Sequence, residues 1–297
     1  MKLDILISTT NDRIFYIQDL FLKPQKDIRY VVSHQIYNNK EYDINFGRND
    51  VIYKKSKIKG LSRNRNITTS MASSDICLFA DDDVKYKREW LNDLIIYFKE
   101  NPRMDILTFK IKTNESEPQY KEYQNHFFMH DLRSIFQVSS IETAFRLNKI
   151  KDAGLSFDEN YGLGTNFNFG EENIFLMDAL SKGLKLKYIP HYIVNHPYNK
   201  LRKIDTHKEI LTSGALFYRM FGLFAIFMDL YSTYYNYKDY KLCFSIFKYI
   251  KVILKGNYLG FKTSKNKTPF FTMIKLIGML LKNKIENKFL RDYEIFK

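Results

Sequence analysis

Residues 60–83 restrict this chain more than any other stretch. An apolar run over residues 76–80 ends in three consecutive aspartates, Asp81, Asp82 and Asp83. Adjacent carboxylates at a strand end repel one another, so folding alone does not favour them. A hard divalent cation, Mg2+ or Mn2+, would make them favourable, because such ions prefer oxygen ligands. Upstream stand Arg63 and Arg65, separated by Asn64. Cations close to an acidic cluster point to an anionic ligand between them, most simply a pyrophosphate. The bland alternative is a solvated acidic turn opening a helix, where aspartate is common. The apolar strand in front and the basic helix upstream favour a site.

The chain has 297 residues, enough for one large domain or one domain with an appendage. Its two cysteines, Cys77 and Cys243, suggest neither a disulfide framework nor a thiolate metal site, which fits a reducing compartment. Cys77 lies inside the apolar run and is expected to pack as a small hydrophobe. The start, MKLDILISTT, has no long apolar segment and carries Asp4, so no signal peptide and a cytoplasmic location are expected. The formal charge of +14 is unevenly spread: residues 198–297 carry 19 Lys and Arg against 7 Asp and Glu, a balance of +12.

Taken in order, residues 2–8 read as a first strand. They end at Ser8, Thr9, Thr10 and Asn11, polar groups placed to meet a ligand at the carboxyl edge of a parallel sheet or to cap a helix over 14–21. Strands are expected at 28–33, 75–80, 105–112, 138–147 and 184–189, with helices at 61–73, 89–101 and 173–181. A short apolar piece at 51–53 breaks the polar segment 35–57, and residues 113–136 show no clear period. The alternation predicts an α/β fold with a mostly parallel sheet. Glycines at 162, 164 and 170 make residues 157–170 a loop, after which Glu171 and Glu172 open a helix. Two glutamates in a first turn have a structural explanation in the helix dipole. Their functional reading is a general base presented from a glycine-rich loop, removing a proton from an acceptor hydroxyl. His196 follows a strand and is a candidate metal ligand beside Asp83; a lone histidine is otherwise an ordinary packed residue.

Together these pieces resemble the GT-A glycosyltransferases of family 2, of the bacterial capsular and surface polysaccharide type. The likeness rests on Thr9-Thr10-Asn11, Gly60-Leu61-Ser62-Arg63-Asn64-Arg65-Asn66, Phe79-Ala80-Asp81-Asp82-Asp83, Phe157-Asp158-Glu159 with Gly162-Leu163-Gly164 and Gly170-Glu171-Glu172, and His196, in that order. It covers roughly the first two-thirds of the chain. The resemblance implies a Rossmann-like GT-A sheet flanked by helices. It also implies a metal-dependent, inverting hexosyltransferase moving a sugar from a nucleotide-diphosphate donor to a glycan or lipid-linked acceptor. Asp83 becomes the metal ligand, with Asp81 and His196 completing the site for Mn2+ or Mg2+. Asp81 and Asp82 with Thr9, Thr10 and Asn11 line the donor. Arg63 and Arg65 face the diphosphate or base. Glu172 stands where the family usually has an aspartate base, with Glu171 as its neighbour and alternative. The acidic turn that often ends the second strand is replaced here by Val32-Ser33-His34-Gln35.

The expected organisation is a catalytic domain over 1–205, with a nucleotide-sugar half at 1–112 and an acceptor half at 113–205. A basic helical region over 206–297 follows, for membrane association or oligomerisation. Residues 214–233 are the most apolar window, but Arg219 and Asp229 interrupt it, so a buried or interfacial helix is expected rather than a span. Residues 269–289 place Phe270, Ile274, Ile277, Leu281 and Ile285 on one helical face beside lysines. Basic and apolar composition together suit an anionic membrane surface at the inner face of the cell membrane, with no nucleic acid partner expected. Two other readings compete. A nucleotidyltransferase would want a glycine-rich loop near the start, and no glycine precedes Gly47. A non-catalytic basic scaffold on membrane or nucleic acid leaves the aspartates and the glutamate pair unexplained.

Overall fold

The computed structural model describes residues 1–198, 206–241 and 245–264. The amphipathic run expected over 269–289, and Cys243, lie outside the described residues. Eight strands form one sheet in the order β3-β2-β1-β4-β7-β5-β8-β6. They are β1 (Leu3–Thr10), β2 (Ile28–Gln35), β3 (Val51–Ser56), β4 (Ile76–Asp81), β5 (Ile106–Lys112), β6 (Phe128–Met129), β7 (Thr143–Arg146) and β8 (Leu186–Asn195). All run parallel except β7, which inserts antiparallel between β4 and β5, and β6, which pairs antiparallel with β8 at the edge. The central strands are buried along nearly their whole length, as expected where both faces are covered. Helices α1 (Leu61–Met71), α2 (Arg88–Glu100), α3 (Leu147–Asp152) and α4 (Glu171–Ser181) belong to this body. Cys77 is free and buried, as its place in β4 requires.

Several expected elements take a different form. Residues 14–21 are not a helix but two short 3-10 turns, Asn11–Phe15 and Ile17–Leu20. The strand expected over 138–147 is cut to β7, because Ser139 and Glu142 close a reciprocal capping box around the turn Ser140–Glu142. β8 runs on through Pro190, where the pairing with β5 shifts register and needs no proline N–H. The apolar window 214–233 is broken at Gly222, whose φ of +58° ends one helix before the next begins. The result is α5 (Thr206–Phe221) followed by α6 (Ala225–Tyr240).

Helix α7 (Ile246–Thr263) packs against α5 at very short range. A Cβ added at Gly256 would stand 2.1 Å from the Leu211 carbonyl oxygen, and one at Gly214 2.0 Å from that of Ile253. Only hydrogens at those positions let the two backbones meet. α5 also belongs to the main core: Ala215, Leu216, Met220 and Phe221 pack in one cluster with Phe79, Phe157 and Phe175. Arg219 is buried between Asp158 and Asp178, at 2.8 and 2.7 Å, and so fastens the helical region to the sheet-bearing body.

Candidate active site

The carboxyl ends of β1, β2 and β4 open into a cleft of about 390 Å3. Its walls carry Ser8, Thr9, Thr10, Arg13, Gln35, Tyr37, Lys59, Asn64, the three aspartates and His196. The adjacent carboxylates are not left to repel one another. Thr9 Oγ1 donates to Asp82 Oδ2 at 2.7 Å, and Arg13 Nε sits 2.8 Å from Asp82 Oδ1. Arg13 Nη2 reaches on to Asp83 Oδ2 at 2.9 Å. Asp82 is thus a buried anchor for the cleft, and burial raises its pKa despite the guanidinium.

Asp83 behaves differently. His196 Nε2 lies 3.4 Å from its Oδ1, and with Arg13 this holds the carboxyl down to about 2. His196 is raised in turn by Asp83. Their meeting follows from backbone pairing: Lys85, just past the aspartates, exchanges two hydrogen bonds with Asn195, the last residue of β8. His196 Nδ1 is buried without a partner among the described residues.

Asp83 and His196 therefore present two adjacent ligand groups at the cleft. Among the described residues, no group of three His, Cys, Asp or Glu side chains is gathered closely enough to hold a metal. Asp81, expected as a third ligand, is engaged by Arg65 at 3.2 Å. A cation with two protein ligands fits the habit of Mg2+ and its like, which keep waters and take the rest of their shell from substrate phosphates.

Neither expected arginine reaches out freely to a ligand. Arg63 pairs with Glu159 at 2.9 Å beside a separate cavity lined by Ile58 and Asn66. Arg65 is enclosed: Nη1 donates to Glu171 at 2.9 Å, and Nη2 to Ser140 at 2.6 Å and to Asp81. A guanidinium so occupied supports carboxylates instead of meeting a diphosphate. Arg13, which the sequence reading passed over, is the arginine lining the cleft. Its only sequence signal is a cation three residues beyond the end of the first strand. Thr9 and Thr10 line the cleft as expected, whereas Asn11 is used structurally. It adopts φ +46°, its side chain accepts from Tyr37 N, and its carbonyl meets His34 Nε2 at 2.8 Å.

The glycine-rich loop is stitched to the start of α1. Leu61 N donates to Leu163 O at 2.9 Å and Ser62 Oγ to Tyr161 O at 2.6 Å. Asn66 exchanges two hydrogen bonds with the Phe157 backbone. Gly162 (φ +100°) lies so close that a Cβ there would stand 3.1 Å from the Glu171 carboxyl carbon. This packing sets the loop directly against Glu171. The Glu172 carboxyl is held well above the ordinary carboxylate range, first by burial and then by the Glu171 charge, with Arg65 opposing. Its Oε2 is buried without a hydrogen-bond partner among the described residues. One guanidinium, Arg65, thus joins Glu171 to Asp81 at the rim of the cleft.

The sheet order, with a strand-end cleft that carries an aspartate cluster, is that of the GT-A fold. Residues 38–153 match the family model described as Glycosyl transferase family 2. Among solved structures, TarS of S. aureus aligns with TM-score 0.60 at 16% identity, over 82% of this chain and 46% of that one. Its 1–349 portion bound to UDP-GlcNAc aligns with TM-score 0.59 at 17% identity, over 86% of this chain and 81% of that one. The same portion bound to UDP gives 0.58 at 16% identity, over 82% and 76%. This chain therefore spans about half the length of the longer TarS chain. A search of curated proteins gives no match.

Proposed function

We propose that this chain transfers a sugar from a nucleotide-diphosphate donor to a hydroxyl of a glycan acceptor, with inversion at the anomeric carbon. The observation that carries this reading is the cleft itself. It joins, at one sheet edge, hydroxyls from β1, an Asp83–His196 pair, and a cationic side chain, Arg13, in range of the same carboxylates. The TarS complexes with UDP and UDP-GlcNAc make uridine-diphosphate sugars the first donors to test.

Asp83 and His196 would hold a divalent cation, which when bound would offset charge developing on the leaving diphosphate. Thr10, at the end of β1 on the cleft wall, offers a hydroxyl to the donor, while Thr9 and Asn64 are buried behind it, Thr9 holding Asp82 and Asn64 Nδ2 donating to the Thr9 carbonyl. Glu172 takes the acceptor proton as the acceptor oxygen bonds to the anomeric carbon. The bond from that carbon to the diphosphate oxygen breaks, and the electron pair leaves with the nucleotide. Burial near Glu171 places the ionisation of Glu172 closer to working pH, which suits a general base.

The test is a panel of nucleotide sugars with Mn2+ or Mg2+, read by thermal shift and slow donor hydrolysis, on wild type and Asp83→Ala. One donor should stabilise and be hydrolysed by the wild type, and the variant should lose both. Equal responses in the two proteins would remove Asp83 from the donor site. No response to any donor would overturn the transferase reading.

A further inference from the structure

Helix α6 is built inside out. Its side toward the protein carries Asp229, Ser232 and Thr233, all buried. Asp229 accepts from Asn257 Nδ2, and Ser232 lies 3.3 Å from the Tyr249 hydroxyl, both on α7. Its side toward solvent carries Phe227, Leu230 and Tyr234, exposed by 65, 60 and 81%. A helix against an aqueous face is expected to show the opposite pattern. The outer side of α7 continues the surface with Phe247, 83% exposed, among the exposed Lys251 and Lys255. From Ser245 to Ser264 the sequence holds no acidic residue. Exposed apolar and aromatic side chains on both helices, with lysines on α7, call for a partner that is apolar below and negatively charged above.

We propose that the outer face of α6 and α7 lies on an anionic lipid surface. Charge complementarity selects this occupant: lysines on α7 meet headgroup phosphates while Phe227, Leu230 and Phe247 enter the boundary with the acyl chains. The helices lie on the surface and do not cross it. The run Thr206–Tyr235 is long and apolar enough to span by length and composition, but half of its most apolar 18-residue stretch is buried inside the protein. Within it Gly222 breaks the helix, and Arg219 is locked to Asp158 and Asp178. Since Arg219 and Leu216 of α5 also grip the loop that presents Glu171 and Glu172, the lipid-bound face and the candidate base share one rigid support. On the proposed transferase reading, and only there, this arrangement would bring the cleft to an acceptor carried on a lipid.

The experiment is flotation of the full chain with vesicles of phosphatidylcholine alone or with phosphatidylglycerol added, in low and high salt, beside light scattering without vesicles. Binding should appear with the anionic vesicles only and weaken with salt. Phe227→Glu with Leu230→Glu should abolish it at an unchanged melting temperature, since both positions are exposed. Lys251→Gln with Lys255→Gln, which leaves the apolar face intact, should lower partitioning roughly 30-fold. Three outcomes overturn the proposal. No vesicle binding together with a dimer that the glutamate variant dissociates would assign the face to a second copy. No vesicle binding by a monomer would assign it to the last 33 residues of the chain. Equal binding to neutral vesicles would remove the charge complementarity. None of these outcomes depends on donor binding, so the proposal fails or holds apart from the activity.

Discussion

Glu171→Gln isolates the electrostatics of the glutamate pair. It removes one of two neighbouring negative charges and keeps an amide oxygen for Arg65 Nη1, now 2.9 Å from the Glu171 carboxylate. Neighbouring side chains in a first helical turn stand roughly 6 Å apart. With an effective dielectric of about 20, unit charges at that distance repel by about 3 kcal/mol. That energy corresponds to about two tenfold steps in a proton equilibrium. Losing a like charge favours ionised Glu172, so the acidic limb of kcat/KM should move down by about 1 to 2 pH units. Arg65→Met works in the opposite direction. It leaves two buried carboxylates without their cation, which should move the limb up and destabilise the fold by about 3 to 5 kcal/mol. The assay is a pH profile of sugar transfer between about pH 5 and about pH 9, far below saturation, so that it reports the free enzyme. A Glu171→Gln profile superimposed on the wild type would refute the reasoning, because the titrating group would then not feel Glu171.

Arg13 occupies the carboxylates a cation would need, at 2.9 Å from Asp83. Arg13→Ala should therefore tighten Mn2+ binding in the absence of nucleotide, measured by titration calorimetry; unchanged affinity would mean the two do not compete. Gly256→Ala gains about 1 kcal/mol of helix propensity but forces a Cβ to 2.1 Å from the Leu211 carbonyl. Overpacking of that kind costs about 1 to 3 kcal/mol or more, so denaturant melts should show net destabilisation. Burial pushes Asp229 up to about 6 from 3.8. A carboxyl raised on folding favours the folded state below its unfolded pKa and loses that contribution as pH rises through the folded one. Wild-type stability should fall between about pH 4 and about pH 6 relative to Asp229→Asn, by about 1 to 2 kcal/mol after allowing for partial solvent contact, in parallel thermal melts.

Much of the sheet was legible because its strands are local apolar runs. β1, β2, β4 and β5 announce themselves by composition, and α2 by its period. What failed was what tertiary context decides. β7 is four residues long and antiparallel, and no local pattern separates it from the capped turn before it. β8 crosses a proline because its partner tolerates a register shift, which only the pairing reveals. The helical region reads as an appendage by charge, yet Leu216 packs against Gly170 and Arg219 against Asp158. Composition changes near residue 205 while the core runs on past it.

At the site, residue types were legible and partners were not. The arginines looked like phosphate binders because cations near aspartates usually imply an anion between them. Here the anions are the protein's own carboxylates: Arg65 serves Glu171 and Asp81, residues 106 and 16 positions away. Asn66 likewise spends its amide on the Phe157 backbone, 91 positions away. The motif around Arg65 is thus a clip between two distant loops, and the loop it holds carries the candidate base. An arginine's partner is not legible from its neighbours in sequence when the fold supplies a closer one. The same logic works in reverse for Arg13: with no acidic residue beside it in sequence except Asp12, it finds two across the sheet edge. A chain that needs three aspartates at one strand end must bring counter-charges to them, and here Arg65 meets Asp81, Arg13 spans Asp82 and Asp83, and His196 adds to Asp83.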